Sequence, residues 1–110
     1  MLKSSRVFGL VAGLALATPA LADMPSYDLE LKDGTLTPQT IEVKAGEKFK
    51  LNLNNTGNSP VEFESSRLRQ EKVLGPGAKS FVVIPALKAG EYEFIDEFHM
   101  PDAKGKIVAK

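Results

Sequence analysis

The chain of 110 residues contains no cysteine and a single histidine, His99. Without cysteine, no disulfide can cross-link the fold and no thiolate can bind a metal ion. The sequence also lacks a glycine-rich phosphate loop and shows no nucleophile-base pair. The sequence therefore does not show the residues that hydrolysis or phosphoryl transfer would need. The stability of the fold must come from a small packed core.

No charge of one sign is in excess, because 14 Lys and Arg residues balance 14 Asp and Glu residues. Removal of residues 1–22, which hold two basic and no acidic side chains, would leave a formal net charge of −2. No basic patch or stripe is then available to meet phosphates, which argues against a nucleic-acid partner.

The N-terminal residues have the pattern of an export signal. Lys3 and Arg6 precede an apolar run at 7–16, and the small-residue sequence Ala20-Leu21-Ala22 follows. We predict a Sec-type signal peptide at 1–22, cleaved before Asp23, a single domain at 23–110, and a periplasmic location. The alternative is an uncleaved membrane anchor, but the run is shorter than the roughly 20 residues of a spanning helix.

Apolar and polar residues alternate in short segments after residue 22. Tyr27, Leu29 and Leu31 share one face of a predicted strand. Similar alternation or short apolar runs recur at 40–43, 48–54, 61–64, 73–74, 81–84, 92–94 and 106–108. Turn sequences separate these segments, and only residues 65–71 have room for a helical turn. The pattern predicts an all-β Greek-key β-sandwich of about seven to eight strands.

Three motifs follow one another along the predicted domain. They are Pro38-x-x-Ile41-x-Val43-x-x-Gly46, the asparagine-rich loop of Asn52, Asn54 and Asn55, and Gly90-x-Tyr92-x-Phe94-x-Asp96-x-x-His99 before a Gly-x-Ile strand. Their order resembles that of cupredoxins over essentially the whole of residues 23–110. The resemblance implies a cupredoxin-like sandwich with a metal site near Asp96 and His99.

The departures from the cupredoxin pattern are as informative as the matches. Asp96 stands where the family has its copper-binding cysteine, and the loop that normally presents the first histidine ligand has none. Ala103 occupies a position where an axial methionine is common, so Met100 is the nearby thioether. A type 1 blue-copper centre needs a thiolate, and this chain cannot form one.

Asp96 and His99 are the leading candidate metal ligands. Asp96 is in phase with Tyr92 and Phe94 and should face inward, where an unpaired carboxylate is costly. The alternative role for Asp96 is structural, with its carboxylate bonded to loop amides. His99 offers an imidazole, the commonest metal ligand near neutral pH, although a surface or capping role is the alternative.

Glu62 and Glu64 are further candidate ligands. Strand parity puts Val61 and Phe63 on the core face and both glutamates on the opposite face, so a bulge or register shift would be needed to bring Glu62 to the same ion. Met100 is either a soft axial ligand or a hydrophobic lip over His99. The predicted cofactor is a transition-metal ion, iron or copper, in an oxygen-rich site.

A narrower resemblance rests on Glu62-Phe63-Glu64, on Arg67-x-x-x-Glu71-Lys72, and on the run from Phe94 to His99. These segments are similar to the small periplasmic cupredoxin-like proteins encoded with Ftr-type ferrous-iron uptake systems, and more distantly to the cupredoxin domain of Efe-type iron-uptake proteins. The resemblance implies a protein that binds iron or copper and passes iron to an inner-membrane permease, with oxidation of Fe(II) left open. The alternatives are a metal-free interaction module and a periplasmic copper-binding protein.

Overall fold

A computed structural model describes residues 24–110, and the predicted signal peptide lies outside this range. Nine strands and one 3₁₀ turn make up the described part. The strands are β1 Ser26–Lys32, β2 Thr35–Thr37, β3 Thr40–Val43, β4 Phe49–Asn55, β5 Val61–Ser65, β6 Gln70–Leu74, β7 Lys79–Ile84, β8 Gly90–Asp96 and β9 Lys104–Ala109, with the 3₁₀ turn at Glu97–His99. No helix in this part is long and apolar enough to cross a membrane.

The strands form two sheets, in the orders β2-β1-β4-β7 and β3-β9-β8-β5-β6. Strands β1 and β4 pair in parallel, as do β3 and β9, and the other pairs are antiparallel. The predicted all-β sandwich is thus confirmed. It has one strand more than the upper number expected, because β2 is only three residues long and buries one side chain, Leu36.

Residues 65–71, the one stretch with room for a helical turn, hold the turn between β5 and β6. Residues 66–69 form it, with Leu68 buried and Arg69 at a φ of 56°. The neighbouring Arg67 guanidinium stacks on the Tyr92 ring, 4.3 Å from its centroid. This turn therefore closes one side of the core without adding helical structure.

Alternate residues of the facing strands fill the space between the sheets. Because successive side chains of a strand point to opposite faces, each alternating segment contributes one buried row. The rows include Leu29 and Leu31 of β1, Phe49, Leu51 and Leu53 of β4, Val61 and Phe63 of β5, Val82 and Ile84 of β7, Phe94 of β8, and Ile107 of β9. Burial of each such side chain contributes about 1.5–3 kcal/mol.

Two contacts of side chains within β8 hold this strand in place, which determines where the residues after it lie. Near its start the Tyr92 hydroxyl donates to the Lys88 carbonyl at 2.8 Å. Further along, the Phe94 ring packs against Gly105 of β9, where an added Cβ would lie 2.6 Å from the ring. The last residue of β8, Asp96, therefore lies at a fixed position between β5 and β9.

Asn55 links the loop after β4 to the turn between β6 and β7. Its side chain is fully buried, with Nδ2 within 3.1 Å of the carbonyl oxygens of Ser59, Leu74 and Gly75, and its Oδ1 accepts from the Gly57 amide. A buried amide with these partners fixes the conformation of residues 55–59.

We predict that Asn55→Ala destabilises the fold by about 3 kcal/mol, because several buried backbone groups lose their hydrogen-bonding partner. Asn54→Ala is the matched control, since Asn54 is the preceding residue and is half-exposed, and it should change stability by about 0.5 kcal/mol or less. Urea unfolding followed by circular dichroism measures both. Equal losses in the two variants would contradict this role of Asn55.

Candidate metal centre

Asp96 ends β8 with a fully buried carboxylate. Its Oδ1 accepts from two backbone amides, that of Glu62 at 2.9 Å and that of Phe98 at 3.1 Å. The second bond caps the 3₁₀ turn, and the first ties the end of β8 to β5. Asp96 faces inward as its parity predicted, and one amide of β5 and one amide of the 3₁₀ turn satisfy one of its oxygens.

His99 lies at the end of the 3₁₀ turn with both ring nitrogens in contact with side chains. Nδ1 is 2.6 Å from Oδ2 of Asp96, and Nε2 is 3.1 Å from the hydroxyl oxygen of Ser59. The side chain is 23% exposed. The structure therefore brings the predicted pair together, but as partners of each other.

Asp33 holds the loop that carries Ser59. Its carboxylate accepts from the amides of Asn58 and Ser59 and from the Ser59 hydroxyl, the last at 2.7 Å. These bonds, that of the hydroxyl foremost, lower the pKa of Asp33 below its ordinary value. Gly57 leaves room for this contact, because a Cβ there would lie 2.6 Å from Asp33 Oδ1.

Ser59, His99 and Asp96 lie in the order of a Ser-His-Asp triad, a pairing that the sequence did not reveal. The surroundings do not suit acyl transfer, however. Such a reaction needs amide donors free to bind an oxyanion. Here the amides of Asn58 and Ser59 already bind the Asp33 carboxylate, whose negative charge would oppose a second one.

Glu62 and Glu64 project from the outer face of the five-stranded sheet, together with Glu71. The pairing of β5 with β6 is regular, with Glu62 opposite Val73 and Glu64 opposite Glu71. Val61 and Phe63 are buried on the inner face, so the predicted parity holds and no bulge turns Glu62 inward. One carboxylate oxygen from each of the three glutamates lies within 4.8 Å of the others.

Crowding of these carboxylates changes their proton affinity. A hydrogen bond to Glu71, followed by partial desolvation and the charges of Glu71, Glu64 and Glu97, raises the pKa of Glu62 to about 7. Partial desolvation and the charges of Glu97 and Glu71 also raise the pKa of Glu64. Protons therefore relieve a repulsion at this cluster that a cation can also relieve.

Met100 is on the rim beside His99, where it is 41% exposed, and Phe98 is 51% exposed. Exposure alone does not separate the two roles predicted for Met100, axial ligand or hydrophobic lip over His99, and both stay predictions.

The predicted ligands thus fall into two groups on opposite faces of β5. Asp96 and His99 lie with Ser59 and Asp33 where the loops after β1, β4 and β8 meet, whereas Glu62 and Glu64 lie outside with Glu71. The backbone of Glu62 joins the groups, because its amide binds Asp96. No thiolate is available to either group, so a type 1 copper ion does not fit.

Sequence reasoning missed three residues of these groups. Asp33 and Ser59 fall in the turn sequences between predicted strands, so the pattern did not mark either as part of a site. Glu71 lies in the one stretch with room for a helical turn. Only its position on β6, opposite Glu64 of β5, shows that it belongs to the cluster.

The sequence matches a protein-family model and a curated protein. A family model described as a cupredoxin-like domain matches residues 6–109. An uncharacterised protein of Rickettsia prowazekii (strain Madrid E) is 32% identical over 80 residues, which are 73% of this chain and 64% of that protein. The matched part thus spans somewhat less than two thirds of this curated relative.

Solved structures share the fold at low sequence identity. The metal-binding domain of the Cu(I)-exporting P-type ATPase CopA of Streptococcus pneumoniae D39 matches with a TM-score of 0.68 and 15% identity, covering 77% of this chain and 84% of that chain. Auracyanin A, a blue copper protein of Chloroflexus aurantiacus, matches with a TM-score of 0.66 and 13% identity, covering 77% and 98%. These likenesses support the fold.

The raised pKa of Glu62 predicts a pH dependence of stability. The folded protein binds this proton more tightly than the unfolded chain, whose ordinary value is 4.5, so the contribution is complete below about pH 4.5 and is lost as the pH rises through about 7. In Glu71→Gln the side-chain amide of the new residue can donate to an ionised Glu62, so much less stability should be lost as the pH rises. Thermal unfolding at constant ionic strength from pH 5 to pH 8 measures the effect.

The control is Glu47→Gln, which changes an exposed glutamate in the turn between β3 and β4. Its unfolding temperature should follow that of the wild type across the pH range. A Glu71→Gln variant with the wild-type slope would show that the cluster does not share a proton in the folded state.

Proposed function

The chain belongs to the cupredoxin-like domain family, and from this premise we propose that it binds Fe(II) as cargo in ferrous-iron uptake. The proposed site is the cluster of Glu62, Glu64 and Glu71 on the outer face of the five-stranded sheet. From there the ion passes to an inner-membrane permease, with other periplasmic uptake components as partners.

The convergence of three carboxylates carries the proposal. Their oxygens lie within 4.8 Å of one another, near enough for side-chain rotations to place them around one ion. Carboxylate oxygens are hard ligands that suit Fe(II), Fe(III) and Mn(II) and disfavour Cu(I). Because Glu62 and Glu64 already have raised pKa values, a bound cation removes a repulsion that the protein otherwise relieves with protons.

The exposure of the cluster favours transfer over storage. Glu71 is exposed, and Glu62 and Glu64 are half-buried, so an ion held there remains accessible to a partner protein. Structural metal sites are instead closed by their ligands. An open carboxylate site on a predicted periplasmic protein fits a carrier that releases iron to a permease.

Asp96 and His99 support this site indirectly in the proposal. If one ion were bound by both side chains, the 2.6 Å contact between His99 Nδ1 and Asp96 Oδ2 would have to open. The Asp96 carboxylate would also have to keep its hydrogen bonds to the amides of Glu62 and Phe98. The Asp96 bond to the Glu62 amide fixes the backbone from which two of the three carboxylates project. A copper ion at Asp96 and His99 is the second candidate, favoured by the imidazole.

Calorimetric titration of the purified protein with Fe(II) under anaerobic conditions tests the site. Glu62→Gln with Glu71→Gln should weaken binding at least about tenfold, because two of three anionic ligands are lost. The matched control is Glu42→Gln, on the same sheet face at the edge strand β3, and it should bind as the wild type does. His99→Ala should also keep its affinity within about twofold.

Loss of binding in His99→Ala with retention in the glutamate variants would move the site to Asp96 and His99. Absence of binding by the wild type would favour the metal-free interaction module. Cu(II) affinity alone is not diagnostic, because Cu(II) binds most oxygen and nitrogen sites more tightly than Fe(II). Uptake of radiolabelled Fe(II) by cells that express each variant connects binding to transport, and the double glutamate variant should not restore it.

A further inference from the structure

We propose that Ser59 determines which metal ions this protein accepts, by occupying Nε2 of His99 and thereby excluding ions that prefer an imidazole ligand. The proposal rests on the proposed function, in that the accepted ion is the one held by glutamates. The juxtaposition that carries it is a chain of contacts from Asp96 through His99 and Ser59 to Asp33.

Both nitrogens of the only imidazole in the chain are engaged. Nδ1 lies 2.6 Å from the buried carboxylate of Asp96, which two backbone amides also hold. Nε2 is the remaining nitrogen, and it lies 3.1 Å from the Ser59 hydroxyl oxygen. A metal ion bound by an imidazole lies about 2.0–2.1 Å from the nitrogen. The Ser59 oxygen already takes this space beside Nε2, because at 3.1 Å from the nitrogen it would lie only about 1 Å from such an ion.

The Ser59 hydroxyl is fixed in this position from several sides. It donates to Asp33 at 2.7 Å, and the amide of Ser59 donates to the same carboxylate at 3.1 Å. The carbonyl of Ser59 accepts from the buried Asn55 side chain at 2.9 Å. Rotation of the hydroxyl away from Nε2 would break its bond to Asp33. The block on the imidazole is thus built into the loop.

Removal of the hydroxyl would leave a pair of metal-ligand atoms facing a gap. The Ser59 oxygen is flanked by Nε2 of His99 at 3.1 Å and by Oδ1 of Asp33 at 2.7 Å. An imidazole nitrogen and a carboxylate oxygen are ligands that Cu(II) and Zn(II) take readily. Ser59 therefore separates two groups that would otherwise attract these ions, and leaves hard-ion binding to the glutamates.

Titration of Ser59→Ala with Cu(II) near pH 7 tests the proposal, with electron paramagnetic resonance to identify the ligands. Wild-type Cu(II) should show oxygen ligation without nitrogen coupling from His99. Ser59→Ala should show coupling to one imidazole nitrogen and bind Cu(II) at least tenfold more tightly. Addition of His99→Ala to Ser59→Ala should abolish both changes.

Two serine variants serve as controls. Ser59→Thr keeps a hydroxyl and should behave as the wild type, and Ser66→Ala removes one from the exposed turn between β5 and β6 and should do the same. An amide NMR spectrum establishes that each variant is folded. If Ser59→Ala is not folded, Ser59→Gly is the second variant, because it also removes the hydroxyl while keeping the Asp33 carboxylate, and it should give the same gain in Cu(II) affinity.

Nitrogen coupling from His99 in the wild type, or a folded Ser59→Ala that gains no affinity, would overturn the proposal. So would Ser59→Thr behaving as Ser59→Ala does. These outcomes are separate from failure of the proposed function, which is read from Fe(II) binding by the glutamate variants. A protein that binds no Fe(II) could still gain Cu(II) binding when Ser59 is changed.

Discussion

The buried carboxylate of Asp96 is the point on which the candidate site depends. A charge with no exposure to water needs several partners, and this one has the amides of Glu62 and Phe98 and the imidazole of His99. Each bond has a structural effect. The Glu62 amide ties β8 to β5, the Phe98 amide shapes the 3₁₀ turn, and the imidazole is held at the loop end, where it meets Ser59.

A carboxylate and a thiolate at this position would suit different metal ions. A thiolate would offer a soft ligand for copper, whereas the carboxylate is consumed by bonds within the protein. The carboxylates that lie close together and reach solvent are instead those of Glu62, Glu64 and Glu71, on the outer face of β5 and β6. The regular register of those two strands, with Glu64 opposite Glu71, brings Glu71 within reach of Glu62, and the hydrogen bond between these two, with desolvation and the neighbouring charges, raises the pKa of Glu62 to about 7.

Much of the fold was predictable because strand alternation is a local property of the sequence. The inward face of Asp96, the outward face of Glu62 and Glu64, and the sandwich class all followed from a period of two. The contacts of Asp33 and Ser59 could not be predicted in this way, because Asp33 lies 26 residues from Ser59 and Ser59 lies 40 residues from His99. Pairing across strands and between loops is set by register and turn geometry, which a single sequence does not encode locally.

Anomalous diffraction at the iron absorption edge, from crystals grown anaerobically with Fe(II), tests the central claim most directly. The account predicts one principal peak within bonding distance of carboxylate oxygens of Glu62, Glu64 and Glu71, with the contact between Asp96 and His99 intact. A peak bonded to His99 instead, with that contact opened, would contradict it.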